Sequence, residues 1–351
     1  MKNYLLKLDK SFLDKVKEIS FEARKQKISL YLVGGIVRDI LLGERILDID
    51  IVVERNAISF TQHLAKHFNA RCLTHPPFKT ASLFFSDNFR IDFVTARSET
   101  YRFPGALPSV KPGFLEEDLF RRDFTINAMA ISLNPGSWGE LIDPFCGLKD
   151  LSKKIIRVLH EKSFIDDPTR ILRAVRFEQR LGFSIEKKTG KLLKDAINKK
   201  CFFAVNIYRS FLEFKKMLQE NPYLCLRRLN ALKAMEFLVG TKRLGLGPIK
   251  GFDRREPMVF LLALFKEMTT DQRVFFLNKF SFTKKEKKAL TESLKFKDVL
   301  KQLTKKDLTL SEVCVILKPF QRDVVSYFDL VARQKNIQKN IRMFLKEYSD
   351  K

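Results

Sequence analysis

The sequence of 351 residues has little or none of several features, and each shortage excludes a class of protein. It contains no run of about 18 apolar residues, so we expect no transmembrane helix. Its five cysteines are widely spaced, odd in number and without a CxxC pair. That pattern predicts reduced thiols in a cytoplasmic protein, with neither a disulfide framework nor a zinc site.

Acidic residues are also scarce, because 41 Asp and Glu stand against 66 Lys and Arg, a formal charge of +25. Since 45% of the residues are hydrophobic, this excess charge does not indicate disorder. It indicates a polyanionic partner, either nucleic acid or anionic lipid. The excess is denser after residue 200, where 31 basic residues accompany 16 acidic ones.

Turn-forming residues divide the chain into two parts of different character. They concentrate in the first half, as in residues 103–113 and 133–139, whereas amphipathic helical patterns follow one another from about residue 163. We therefore predict an α+β protein. In this reading the first part mixes strands and helices, and the second part is helical.

A pair of aspartates is the first candidate for a chemical site. Asp48 and Asp50 lie two residues apart in a β-patterned segment, so both side chains should project from one face of a strand. Adjacent carboxylates repel each other unless a cation neutralises them, and oxygen-only ligands suit Mg²⁺. Asp92, in the strand-like segment RIDFV, is a candidate third carboxylate. A DxD triplet alone is weak evidence, since an exposed strand end explains most of them.

A strand, two glycines and a helix precede this pair. Gly34 and Gly35 allow the backbone to turn tightly and to approach a ligand closely. The helix that follows offers free amide donors and a positive dipole end, both of which favour phosphate. Arg38, on the first turn, is placed to bind a triphosphate. The alternative is a structural corner that binds nothing.

The complete segment GGIVRDILLGERILDIDIVV resembles the nucleotidyltransferase signature of class II tRNA nucleotidyltransferases and bacterial poly(A) polymerases. The paired glycines, the arginine three residues later and the two aspartates beginning ten residues after it all match. The resemblance continues in the same order through EEDLFRRDFTINAMA, IDPFCGLKDL and FIDDPTRILRAVRFEQRLGF, over about residues 30–185. It implies a small mixed β-sheet nucleotidyltransferase head domain over residues 1–139, a helical neck over 140–215, and a helical body and tail over 216–351. In the head, Asp48 and Asp50 would hold Mg²⁺ and act with Asp92 in catalysis.

The segment RRDFTINA is expected at the start of a helix. An arginine fork binds phosphate, and Asp and Asn side chains can hydrogen-bond a ribose hydroxyl. An arginine–aspartate capping cluster is the alternative, above all for Arg121. The resemblance implies that the nucleotide-binding residues of this region and of the glycine corner are Gly34, Gly35, Arg38, Arg122, Asp123 and Asn127.

The segment DDPTRILRAVR spaces arginines three residues apart on a helix, a pattern that alone is typical of a solvated or ion-paired face. The resemblance implies that Asp167 and Arg170 select the base, with Arg173 and Arg176 orienting or supporting them. Cytosine and adenine present an amino donor beside a ring-nitrogen acceptor, which aspartate and arginine complement, whereas uracil and guanine do not. Asp166 stands where the family usually has Glu, so that side chain is one methylene shorter.

The residues between the catalytic strands and RRDFT, 97–118, are expected to form a long loop of the kind that often serves as a lid. Taken as a whole, the resemblance implies template-independent addition of CCA, or only CC or the terminal A, to the tRNA 3′ end from CTP and ATP. The basic second half would bind the acceptor and TΨC arms of tRNA. A poly(A) polymerase and a noncatalytic RNA-binding relative remain as alternatives.

Overall fold

The computed structural model describes residues 3–46, 48–87, 89–246, 256–305 and 308–348. The chain groups into two compact units. The first consists of residues 1–170 with 181–193, and the second of residues 171–180 with 194–351. A mixed sheet with helices in the first unit and helices in the second confirm the predicted α+β class. The division at residues 139 and 215 stays a prediction.

Short strands form the β-sheets of the first unit. They are β1 (Leu30–Val33), β2 (Asp50–Val53), β3 (Arg71–His75), β4 (Thr80–Phe84), β5 (Arg90–Thr95), β6 (Arg97–Thr100), β7 (Ser109–Pro112), β8 (Ala130–Ser132), β9 (Leu141–Ile142), β10 (Ile155–Ile156) and β11 (Ser184–Ile185).

The described helices of the first unit are α1 (Lys10–Lys25), α2 (Gly35–Leu42), α3 (Ala57–His67), α4 (Leu115–Phe120), α5 (Gly147–Ser152) and α6 (Ser163–Asp166). Two further helices have residues in both units, α7 (Thr169–Leu181) and α8 (Lys187–Asn198).

The main sheet has seven strands in the order β3-β4-β5-β2-β1-β8-β9. β2 and β5 run parallel, and their register places Asp50 opposite Asp92. The other neighbours pair antiparallel, including β4 with β5. β1 and β2 lie in the middle because their apolar runs are buried on both faces. The predicted carboxylates Asp50 and Asp92 therefore lie on β2 and β5, each of which has a neighbouring strand on both sides.

The region around RRDFT differs from the expected helix start. Helix α4 ends at Phe120, and a single 3₁₀ turn at Thr125–Asn127 leads directly into β8. All three residues of β8 are buried, and they pair with β1, almost a hundred residues earlier in the chain. This long-range pairing overrides the local helical pattern, as tertiary contacts commonly do.

The expected long loop at 97–118 is also largely ordered structure. β6 and β7 pair antiparallel, from Arg97 opposite Pro112 to Thr100 opposite Ser109, and α4 begins at Leu115. The prolines and glycines that suggested a loop lie mostly at the tip and exit of this hairpin. The first strand of the hairpin is held by a network of ion pairs between residues distant in the sequence, which is described below. The sequence pattern alone did not reveal this network.

The second unit is helical over its described residues. Its helices are α9 (Ile207–Glu220), α10 (Pro222–Ala231), α11 (Glu236–Val239), α12 (Pro257–Glu267), α13 (Thr270–Lys279), α14 (Lys284–Ser293), α15 (Phe296–Leu303), α16 (Leu310–Leu317), α17 (Arg322–Val331) and α18 (Lys335–Tyr348).

Phenylalanine rings fill the core of this unit. Phe211 and Phe214 on α9 stack with Phe280, whose ring also meets Phe276 and Phe282. Aromatic pairs of this kind add to simple burial. The lysines of α14 are exposed and form a solvated helical face. No helix among the described residues is long and apolar enough to cross a membrane.

Candidate active site

A cleft of about 560 Å³ in the first unit brings together residues from several strands. Its lining consists of Asp50, His75, Phe78, Thr80, Val94, Arg97, Arg121 and Arg122. Two of the sequence-predicted residues, Asp50 and Arg122, therefore share one cavity although they are far apart in the chain. A carboxylate beside several arginines is a combination suited to an anionic substrate and a cation.

The two aspartates of the DxD triplet have different surroundings. Asp48 is exposed and Asp50 is half-buried, with the buried Ile49 between them, as expected for two residues on the same face of an extended chain. Burial raises the pKa of Asp50, Arg122 acts against that rise, and the neighbouring Asp92 and Asp48 add to it. The carboxylate would therefore gain from a bound cation.

Asp92 lies opposite Asp50 as predicted, but its carboxylate already has partners. Arg90 donates to both oxygens, at 2.9 Å and 2.7 Å, and the Ser82 hydroxyl also donates to Oδ1. Among the described residues, no three His, Cys, Asp or Glu side chains are arranged to hold a metal ion. Two carboxylates that leave the remaining positions to water and phosphate still fit Mg²⁺, which normally keeps several waters.

The glycine corner is shaped around Arg122. Gly34 has φ +78° and ψ −129°, a conformation that glycine adopts without strain and other residues do not. Its amide donates to the Met129 carbonyl at 3.3 Å. A Cβ at Gly34 would lie 2.6 Å from Nη1 of Arg122, which is closer than real Cβ atoms come. The missing side chain thus makes room for the guanidinium beside the start of α2.

Asp118 holds both arginines of the RRD segment. Its Oδ2 accepts from Nη2 of Arg122 at 2.8 Å, and its Oδ1 accepts from Nε of Arg121 at 3.0 Å. Burial alone would raise the pKa of Asp118, but the charges of Arg122 and Arg121 outweigh it and lower the pKa. Nε of Arg122 is buried and has no hydrogen-bond partner within the described part of the chain.

Glu99 on β6 is a second acidic centre of the site. It accepts from Arg97 at 3.1 Å and 2.8 Å, from Arg121 at 3.1 Å and from the Tyr101 hydroxyl at 2.8 Å. Burial raises the pKa of Tyr101, and the adjacent Glu99 charge adds to that rise. This network connects the β6–β7 hairpin with the arginines of the cleft. The pairing of Arg121 with Asp118 is the arginine–aspartate cluster that was the alternative for Arg121.

Arg38 takes part in a buried network. Nε and Nη2 donate to the two oxygens of Asp39 at 2.8 Å and 3.0 Å, and Nη1 donates to Oδ1 of Asn127 at 2.6 Å. Asn127 in turn donates to Asp123 at 3.0 Å. Three predicted nucleotide-binding residues are thus joined to one another. In this arrangement Arg38 positions Asn127, and its role as a phosphate ligand stays a prediction, as do those of Gly35, Asp123 and Asn127.

The two predicted base-selecting residues lie at the start of α7. Asp167 accepts from the Thr169 amide at 3.2 Å and from its hydroxyl at 2.6 Å, which fixes the carboxylate at the helix start. Arg170 is buried and donates to the Ser163 hydroxyl and to the Arg121 carbonyl, both at 2.6 Å. Arg170 is thereby tied to the backbone of the RRD segment.

The two supporting arginines belong to the second unit. Glu213 accepts from Arg173 at 3.1 Å and from Arg176 at 3.0 Å, and Arg176 also donates to Glu220 at 2.7 Å. Burial would raise the pKa of Glu213, but Arg173 and Arg176 lower it. These contacts agree with the ion-paired helix face that was the alternative for this row, and a supporting role stays a prediction.

Several residues of the cleft escaped the sequence reasoning. Asp118 holds the predicted Arg122, and Glu99 holds Arg121. The cavity is also lined by Arg97 and, from the β3–β4 turn, by His75 and Phe78. A signal existed for Asp118, since Arg121 and Arg122 follow it by three and four residues, a spacing that pairs side chains on one helical turn. Nothing in the sequence placed the β3–β4 turn beside Asp50.

Known proteins are similar to this chain over different lengths. The Poly A polymerase head domain family matches residues 30–157. A curated relative, the A-adding tRNA nucleotidyltransferase of Aquifex aeolicus, is 51% identical over 194 residues, which are 55% of this chain and 23% of that protein. The chain spans less than half of the length of the first curated relatives that it matches.

A solved structure matches nearly the whole chain. The apo form II of a CCA-adding enzyme has a TM-score of 0.80 and 31% identity, covering 99% of this chain and 86% of that one. The chain belongs to the class II tRNA nucleotidyltransferase and bacterial poly(A) polymerase family. The resemblance carried by the glycine corner and the DxD pair is confirmed.

Another member of this tRNA nucleotidyltransferase family has been solved with nucleic acid. The Thermotoga maritima CCA-adding enzyme complexed with tRNA_CCA has a TM-score of 0.74 and 31% identity, covering 99% of this chain and 85% of that one. Enzymes of this family generally use divalent metal ions.

Proposed function

We propose that this protein is a template-independent tRNA nucleotidyltransferase that extends the tRNA 3′ end. The observation that carries the proposal is the cleft in which the half-buried Asp50 faces Arg122, with Gly34 leaving space for the guanidinium. A carboxylate poised for a cation and an arginine with unused donors are what a nucleoside triphosphate needs. Family membership supports the same conclusion.

In the proposed reaction the RNA 3′ oxygen forms a bond to the α-phosphorus of the nucleotide. The bond from that phosphorus to the β-phosphate oxygen breaks, pyrophosphate leaves, and the hydroxyl proton is lost. Asp48 and Asp50 would hold Mg²⁺, which when bound neutralises the triphosphate and makes the RNA hydroxyl more acidic. Arg122, with its buried Nε and with Nη1 against Gly34, would bind the phosphates.

Base selection would fall to Asp167 and Arg170. Both side chains are buried and tied to neighbouring groups, so their hydrogen-bonding atoms are held in fixed directions. A fixed acceptor and a fixed donor discriminate bases because a mismatched base would leave buried polar atoms unpaired. Asp166, the last residue of α6, precedes this pair in the chain.

We propose addition of the terminal A as the main product. The support is the 51% identity to an A-adding enzyme over 194 residues. Full CCA addition is the second candidate, and the match of nearly the whole chain to a CCA-adding enzyme favours it.

The basic helical second half would bind the tRNA backbone, which would make binding weaken steeply as salt rises. The cytoplasmic location stays a prediction.

Nucleotide incorporation tests the proposal. The full chain with Mg²⁺ and one labelled nucleotide at a time is offered tRNAs that end before CC, after CC and after CCA. A-addition predicts incorporation of ATP onto the CC end alone, whereas CCA addition also predicts incorporation of CTP onto the first tRNA. Long A tails on unrelated RNA would instead indicate a poly(A) polymerase, and no incorporation at all would overturn the proposal.

The carboxylates provide the matched variants. Asp48→Asn with Asp50→Asn should reduce incorporation at least about 100-fold, because the charges that hold the cation are removed. Asp14→Asn, an exposed aspartate on α1 away from the cleft, should leave the rate unchanged. Full activity of the double variant would exclude the proposed roles of Asp48 and Asp50.

A further inference from the structure

The β3–β4 turn places a phenylalanine ring in the cleft. Phe78 lines the same cavity as Asp50, Arg121 and Arg122, yet 59% of the residue is exposed. Within the described part of the chain no other ring or cation packs on its face. The ring therefore offers an open apolar face beside the charged groups of the cleft, a face on which a planar base can stack.

The turn that carries this ring is fixed at several points. His75 pairs with Thr80 at the base of the turn, and the Phe78 carbonyl accepts from Nη1 of Arg97 at 3.0 Å. The next carbonyl, of Lys79, accepts from the Thr95 amide at 3.1 Å. Arg97 is held in turn by Glu99 at 2.8 Å. The ring is therefore presented by an anchored backbone, which lowers the entropy cost of binding.

We propose that Phe78 is the stacking surface for the 3′-terminal base of the RNA that is to be extended. The inference rests on the proposed nucleotidyltransferase function and adds a binding residue to it. An aromatic side chain stacks on any base without reading its identity. The terminal nucleoside must carry its 3′ hydroxyl to the catalytic carboxylates, and Phe78 shares its cleft with one of them, Asp50.

The incoming nucleotide is a less suitable occupant of this ring. Its base is assigned to Asp167 and Arg170, neither of which is among the described residues that line the cleft. Arg170 instead reaches the Arg121 carbonyl. In this assignment the base of the incoming nucleotide contacts Asp167 and Arg170, and the terminal base of the RNA contacts Phe78. The two bases therefore do not compete for one site.

Steady-state kinetics of the full chain separate the two occupants. Phe78→Ala should raise KM for tRNA by about tenfold or more, while KM for the nucleotide and the preference among nucleotides stay the same. Phe78→Tyr should keep KM for tRNA near the wild-type value, because the stacking face is retained. Phe21→Ala, which removes a ring of 57% exposure on α1, is the matched control and should behave as wild type.

A direct measurement uses RNA with 2-aminopurine at its 3′ end, titrated without nucleotide. Its fluorescence should be quenched by stacking in the wild type and in Phe78→Tyr, and much less in Phe78→Ala at saturation. An increase of KM for the nucleotide alone, or quenching that is equal in wild type and Phe78→Ala, would overturn the inference. Absence of incorporation by the wild type would instead refute the proposed function itself.

Discussion

Gly34→Ala offers the sharpest test of how the candidate site is built. The new methyl group would sit 2.6 Å from Nη1 of Arg122, whereas ordinary contact begins near 3.4 Å, so the guanidinium must move by roughly 1 Å. A displacement of that size in a substrate-binding group can lower the rate about 100-fold. Backbone strain at φ +78° adds roughly 1–3 kcal/mol to the loss of stability.

Gly43→Ala is the matched control for this prediction. Gly43 also has a positive φ, +73°, but nothing lies within 4 Å of the position of its Cβ. Urea unfolding should show a stability loss in both variants, about 1 kcal/mol for Gly43→Ala, since it too must leave a glycine conformation. Nucleotide incorporation should fall only in Gly34→Ala.

A double variant identifies the clash as the cause. If Gly34→Ala acts through Arg122, then adding it to Arg122→Ala should cost little further activity, because the group that is displaced is already absent. Additive losses, or a Gly34→Ala enzyme with wild-type kcat/KM for the nucleotide, would refute the reasoning. Additive losses would mean that Gly34→Ala does not act through the guanidinium, and wild-type kcat/KM would mean that the displaced guanidinium does not bind the nucleotide.

Two further predictions concern other parts of the first unit. Arg170→Ala should lower the preference for CTP and ATP over UTP and GTP about tenfold or more in single-nucleotide kinetics, and Arg180→Ala on the same helix should not; unchanged selectivity would remove Arg170 from base selection. Lys25 and then His63 lower the pKa of Glu22 to about 2, so its stabilising effect is complete above about pH 4.5 and is lost as the pH falls toward 2. Glu22→Gln should therefore lower the free energy of unfolding by about 1–2 kcal/mol at neutral pH, with a difference that narrows across that acid range in urea titrations; a difference that does not change with pH would contradict it.

Local sequence was sufficient to predict the strands and helices whose hydrophobic pattern agrees with their pairing in the fold. The apolar run of β1, the glycines after it and the periodic helix α2 were predictable because strand, turn and helix signals lie next to one another. The β4–β5 hairpin was predictable for the same reason. RRDFTINA was wrongly expected in a helix because the pairing of β8 with β1 depends on residues distant in the chain.

Residue identity and spacing specify the chemical groups of this protein, namely the glycine corner, the DxD pair and the arginine row, since these lie within short segments. What each group touches follows from the three-dimensional fold. The fold places Arg122 against Gly34, pairs Asp92 with Arg90, and joins Arg38 to Asn127, 89 residues away. It also brought Phe78 into the cleft. Contacts of this range depend on the order of strands in the sheet, which local propensity does not specify.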